Sequence, residues 1–76
     1  MEELVKTIAL SLVDNPDEVS VSTIDKDGEE FVELKVAPTD MGKVIGKQGR
    51  IAKAIRVVVK AAAAKDNKSV GVDIVQ

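Results

Sequence analysis

The 76-residue sequence contains no cysteine, histidine, tryptophan or tyrosine, and Phe31 is its only aromatic residue. Without cysteine there are no disulfides, and without cysteine or histidine there are no zinc sites of the ordinary kind. Nucleophilic catalysis through a thiol or an imidazole is excluded with them. One aromatic residue leaves the core aliphatic and rules out a base-stacking platform of several rings. No apolar run approaches the length that crosses a bilayer. The opening "MEELVKTIAL" carries acids where a secretion signal needs a basic start. Neither a membrane nor export is indicated, so the expected location is the cytoplasm.

What is present describes a small globular protein. Hydrophobic residues make up 45% and charged residues 32%, too apolar for a disordered tail. The length predicts one domain over 1–76. A domain this small buries only about 60% of the surface of its unfolded chain, so its stability should be roughly 4–11 kcal/mol.

The net charge is −2, but it is divided by segment. Residues 1–40 hold eleven acids and three bases, a net of −8. Residues 41–65 hold Lys43, Lys47, Arg50, Lys53, Arg56, Lys60 and Lys65 and no acid, and residues 66–76 add −1. A polyanion is therefore expected to meet one part of the chain only.

Hydrophobic periodicity gives the elements. Leu4, Ile8 and Leu12, with Val5, Ala9 and Val13 beside them, predict an amphipathic helix over 2–13. "DNP" at 14–16 stops it. A strand over 18–24, a turn over 25–29 around Gly28 and a strand over 30–37 form a hairpin. In the second strand Val32, Leu34 and Val36 face one way, and Phe31, Glu33 and Lys35 the other. Thr39 or Asp40 is placed to cap a short helix over about 40–45. A long helix is predicted over 50–65, with Ile51, Ile55, Val58 and Ala62 on one side and Arg50, Lys53, Arg56 and Lys60 on the other. "KDNK" closes it, and 70–75 reads as a final strand with Val70, Val72 and Ile74 inward. The class is α+β, in the order helix, strand, strand, helix, helix, strand, with helices on one face of a small sheet.

Between the two later helices lies "VIGKQGRIAKAI", residues 44–55. Gly46 can end the short helix with positive φ, and Gly49 can turn the chain into the long one. Lacking β-carbons, both would let another backbone come close. The amides around Gln48 to Ile51 would stand at a helix start, where free N–H groups and the dipole favour an anion. Lys47 and Arg50 add full charges. A tight turn with lysines for solubility is the plainer reading, but it does not account for 25 acid-free residues. The combination describes a clamp for a phosphodiester backbone.

The same stretch resembles the signature of KH domains, in which a hydrophobic pair precedes G-x-x-G and an isoleucine follows. The element order resembles the bacterial, type II arrangement with a three-stranded mixed sheet, over essentially the whole chain. A free-standing domain this short resembles the bacterial KhpA family, small RNA-binding proteins that partner a larger KH protein, KhpB (also called Jag). The resemblance implies single-stranded RNA in a groove beside the loop, about four nucleotides long. It makes Gly46, Lys47, Gln48 and Gly49 the loop and puts Lys43, Arg50 and Lys53 near phosphates. Val44, Ile45, Ile51 and Ile55 would supply the groove floor or the core beneath it. It also implies a homodimer or a mixed dimer with a KhpB-like protein, and a link to RNA regulation, cell shape and division. "AAAA" at 61–64 is one candidate dimer contact.

Two other functions compete with an RNA chaperone or regulator. The chain could serve chiefly to bind a protein partner, with RNA secondary. An enzyme has little in its favour, because catalysis would need carboxylates or lysines gathered in a pocket, and the acids lie mostly in the other half. "GKVIGKQG" is not a P-loop, which needs four residues between its glycines and Ser or Thr after the lysine. No cofactor and no small-molecule substrate are expected.

Overall fold

A computed structural model describes all 76 residues. Helix α1 spans Glu2–Leu10, strands β1 and β2 span Ser20–Lys26 and Glu29–Lys35, helices α2 and α3 span Met41–Ile45 and Arg50–Ala64, and strand β3 spans Val70–Val75. The fold is α+β, with one three-stranded sheet in the order β1-β2-β3. β1 runs antiparallel to β2, while β3 runs parallel to it. A parallel neighbour needs a crossover connection, and the α2–α3 pair supplies it.

The hairpin is tighter than the sequence suggests. Asp27 and Gly28 alone make the turn, with φ of 53° and 84°. Positive φ at both positions gives a turn whose twist suits the strands, and Asp-Gly is a favoured pair for it. Pairing therefore continues to Lys26 opposite Glu29. Helix α1, by contrast, stops at Leu10, three residues before its expected end. The amides of Ser11, Leu12 and Val13 still bond back to Thr7 and Ala9, so a looser turn carries the chain to Val13, and the Ser11 hydroxyl donates to the Ile8 carbonyl at 2.6 Å.

The helices cover one face of the sheet. Val32 and Leu34 of the central strand are wholly buried, and Val70 and Val72 of β3 join them. Val5 and Ala9 of α1, Val44 of α2, and Ile55, Val59 and Ala63 of α3 complete one aliphatic cluster. On α3 the core face is Ala52, Ile55, Val59 and Ala63, not the predicted Ile51, Ile55, Val58 and Ala62. Val58 is 44% exposed and Val57 66%. Both rows are apolar at helical spacing, so periodicity alone does not choose between them. The buried row carries alanine at each end, which lets the helix lie close to the sheet.

On the other face, Phe31 lies over Gly71, its partner in register. A β-carbon at Gly71 would come within 2.4 Å of the ring. Lys26 sits above the ring at 5.5 Å from its centroid and pairs with Asp73 at 3.1 Å.

Asp40 is the one buried charged residue. It was expected as a candidate cap for α2, but its side chain makes no cap bond there. Its carboxylate instead accepts from the Asp14 amide at 3.2 Å and the Asn15 amide at 3.0 Å. The Asn15 side-chain amide donates at 3.1 Å. The chain leaving α1 presents three donors at this point, and a carboxylate satisfies them where a neutral cap would leave some unmet. Asp40 thus ties the α1–β1 connection to the start of α2.

Burial pushes the Asp40 carboxyl up, but those donors and the Lys43 charge together hold its pKa below its ordinary value of 3.8. A carboxylate lowered in the folded state contributes stability above its unfolded pKa and loses it as pH falls through the folded value. Asp40→Asn should therefore be less stable than wild type at neutral pH, and the gap should narrow on acidification below pH 3.8. Urea titrations of both proteins across that range measure it. Gly71→Ala should destabilise by about 1–3 kcal/mol through overpacking. Adding Phe31→Leu should recover part of the loss in a double-mutant cycle.

Candidate nucleic-acid interface

The turn between α2 and α3 is built by three residues with positive φ. Gly46 closes α2 with φ 77°, its amide bonded to the Gly42 carbonyl at 2.9 Å. Gln48 takes φ 58°, a region non-glycine residues seldom enter, and Gly49 follows at φ 74°. The result is a single tight turn over Lys47–Gly49, with the Lys47 and Gln48 side chains exposed at its tip.

The two glycines have different duties. The Ile51 side chain fills the space a β-carbon at Gly46 would occupy, with atoms at 2.6–2.9 Å. Nothing lies within 4 Å of that position at Gly49. Only Gly49 leaves an open approach for another backbone. The amides also differ from expectation. Gly49 donates to the Gly46 carbonyl at 3.1 Å, and Arg50 donates to the Lys47 carbonyl. Both are spent on the turn itself. Attraction for an anion rests more on side-chain charge and on the positive end of the α3 dipole, whose first turn carries no acid.

The remaining sequence candidates fall into three groups. Val44 is wholly buried in the core and has no surface to give a ligand. Ile45 and Ile51 are half-buried against that core, and Ile55 lies within it. Lys43 turns away from the loop tip to pair with Asp14 and, at 3.9 Å, with Asp40. The Asp14 hydrogen bond raises its pKa above the ordinary 10.5; desolvation opposes this, and both carboxylates' charges add to it. Lys47, Arg50 and Lys53 are exposed and enter no ion pair.

At about 100° per residue, Arg50, Lys53, Arg56 and Lys60 occupy about a third of the α3 circumference, none of them ion-paired. The Arg56 edge of this strip looks toward β3, because Arg56 Nε donates to the Val72 carbonyl at 3.4 Å. Val75 gives its carbonyl to Val36 on the β2 side. Since alternate residues of a strand direct their polar groups to opposite edges, those of Val70, Val72 and Ile74 face the open edge. A shallow depression lies there, lined by Arg56 and Lys60 of α3, by Ser69 to Val72, and by Glu29, Glu30 and Phe31 of β2. Sequence reasoning counted Arg56 among the basic residues but did not place it in the site. Its spacing of three from Lys53 was the available signal.

No group of histidine, cysteine or acidic residues is arranged to hold a metal ion. Unpaired cations around a tight turn, with an unpaired strand edge farther along the same helix, suit reversible binding of an extended anionic chain.

The family model for the KhpA/KhpB KH domain matches residues 2–74. The RNA-binding protein KhpA of Clostridium acetobutylicum is 65% identical over 75 residues, covering 99% of this chain and 100% of that one. The protein of the same name from Listeria monocytogenes is 45% identical, with each chain covered in full. Among solved structures, Era of Aquifex aeolicus, as its Y63A variant with GDP and AlF4−, superposes with a TM-score of 0.68 at 17% identity. It covers 97% of this chain, which spans 29% of that larger protein, and at that identity the likeness concerns the fold alone. By its element order, its G-x-x-G turn and these matches over nearly its whole length, the chain belongs to the KhpA/KhpB KH-domain family.

Proposed function

We propose that this protein is one KH domain that binds single-stranded RNA without chemistry, its GKQG turn lying against the sugar-phosphate backbone. The observation that carries the reading is the turn itself. An open approach at Gly49 is flanked by Lys47, Arg50 and Lys53, none neutralised by an acid. Its full-length relatives are named RNA-binding proteins, which supports RNA over other polyanions. Bases would lie in the depression toward β3, and Ile51 would contribute at most its exposed part. Lys43, already paired, contributes less than the cations at the tip. A role as chaperone or regulator of RNAs in the cytoplasm follows from this reading, and no helix is long and apolar enough to cross a membrane.

A second surface favours self-association. Val57 and Val58 are exposed on α3, with Ala54 and Ala61 close by on the same side, which borders the cationic strip at Arg50. This is away from the face that meets the core. Pairing two modules would turn a weak contact into a useful one through effective concentration. We place the homodimer contact here, in the middle of α3, rather than mainly at residues 61–64. A larger KH protein of the KhpB kind could use the same face, consistent with the family to which the chain belongs.

Two measurements test these readings. Lys47→Asp with Gln48→Asp should abolish binding to short oligoribonucleotides while leaving the circular dichroism spectrum and thermal midpoint unchanged. Contact with two or three phosphates predicts a log–log salt slope of roughly −1.5 to −2 for the wild type. Unaltered binding by the double variant would remove the turn from the interface. In sedimentation, Val57→Asp with Val58→Asp should shift a dimer to monomer without unfolding, since both side chains already face solvent.

A further inference from the structure

Resting on the RNA-binding reading above, the geometry points to Arg56 as the residue that sets base preference. We infer that it favours guanine and cytosine over adenine and uracil.

The open edge of β3 offers a ligand the N–H and C=O of Val72. Left alone, such a pair is a donor beside an acceptor. It would match adenine, which shows an acceptor beside an amino donor on both of its pairing edges. Here the carbonyl is not alone: Arg56 Nε donates to it at 3.4 Å. The contact brings the guanidinium to the strand edge, and its remaining N–H groups have no acceptor among the ion pairs. Arg56 is exposed and shares the depression with Lys60, Ser69 and Val70.

The consequence is a change in the character of the edge. With Arg56 across it, the site presents donors in a rigid fork, and the fork fits two neighbouring acceptors. Guanine supplies O6 and N7, and cytosine supplies O2 and N3. Adenine offers one acceptor next to a donor, and uracil's two carbonyls are separated by its N3–H. Both preferred bases, like adenine but unlike uracil, also carry an exocyclic amino group. Glu29 and Glu30 line the same depression, and a carboxylate accepts well from such a group, which adds discrimination against uracil only. Arg56 lies seven residues past Gly49, about 10 Å along the helix axis. That is within reach of a strand of about four nucleotides held at the turn.

The test is anisotropy of short labelled oligoribonucleotides in which uridine alternates with A, C or G, beside oligouridine. The wild type should bind the C- and G-containing strands roughly tenfold tighter than the other two. Arg56→Ala should reduce that preference to within about twofold and improve relative binding of the A-containing strand. Arg56→Lys keeps the charge but lacks the fork, so it should lose the preference too while retaining the salt slope. The inference is overturned if the wild type prefers the A-containing strand or binds all four alike. It is equally overturned if Arg56→Lys keeps the full preference, or if Arg56→Ala weakens all four in proportion. These outcomes concern ratios between strands. Failure of the wild type to bind any strand, or indifference to the Lys47/Gln48 double substitution, would count against the RNA reading or the turn instead.

Discussion

The packing of Ile51 onto Gly46 is the contact on which the rest depends. It lets α2 end and α3 begin within four residues, because the isoleucine occupies volume that any side chain at 46 would claim. With the helices locked at that distance, the tip is thrown outward and its lysine and glutamine cannot fold back onto the core. Val44 on one side and Ile55 on the other anchor the pair into the aliphatic cluster. The apolar run in the sequence is interrupted for the tip and resumed at once because the tip is held only by what flanks it.

The second constraint is electrostatic and acts over a longer range. The last acid before the basic segment, Asp40, is withdrawn from the surface and surrounded by donors. Its neighbour Lys43 is drawn to Asp14 and away from the tip. The acids of the first forty residues lie mainly on and around the hairpin and α1; Glu29 and Glu30 reach the depression beside Arg56 and Lys60, while Lys47, Arg50 and Lys53 at the turn have no acid paired with them. A protein with net negative charge can then present a cationic strip without coating nucleic acid at large.

Much of the architecture was legible in the sequence because the periods were clean. The alternation in β2 and β3 and the positive-φ requirement at Gly46 left little choice. The face of α3 was not legible, since valines and alanines at 52–63 offer two apolar rows, and only the distance to the sheet selects one. The end of α1 is a gradual one, with helix-type bonds loosening between Ser11 and Val13, and hydropathy does not register where regular helix gives way to turn. Within the site, the cations of the turn could be read from composition, but two other details could not. The engagement of the Gly49 and Arg50 amides and the reach of Arg56 to β3 depend on how the turn and strand are placed in space. Lys43 looked equivalent to its neighbours until the fold brought Asp14 beside it.

The parallel register of β2 and β3 has a kinetic consequence. Pairing Glu30 with Val70 and Lys35 with Val75 encloses the whole of α2, the turn and α3 within one closed circuit of chain. Such a circuit gains nothing until its ends meet, so the entropy of closure must be met first. Completion of the sheet edge beside α3 and cooperative assembly of the molecule are then the same late event, and partly folded forms would lack the site proposed above for RNA.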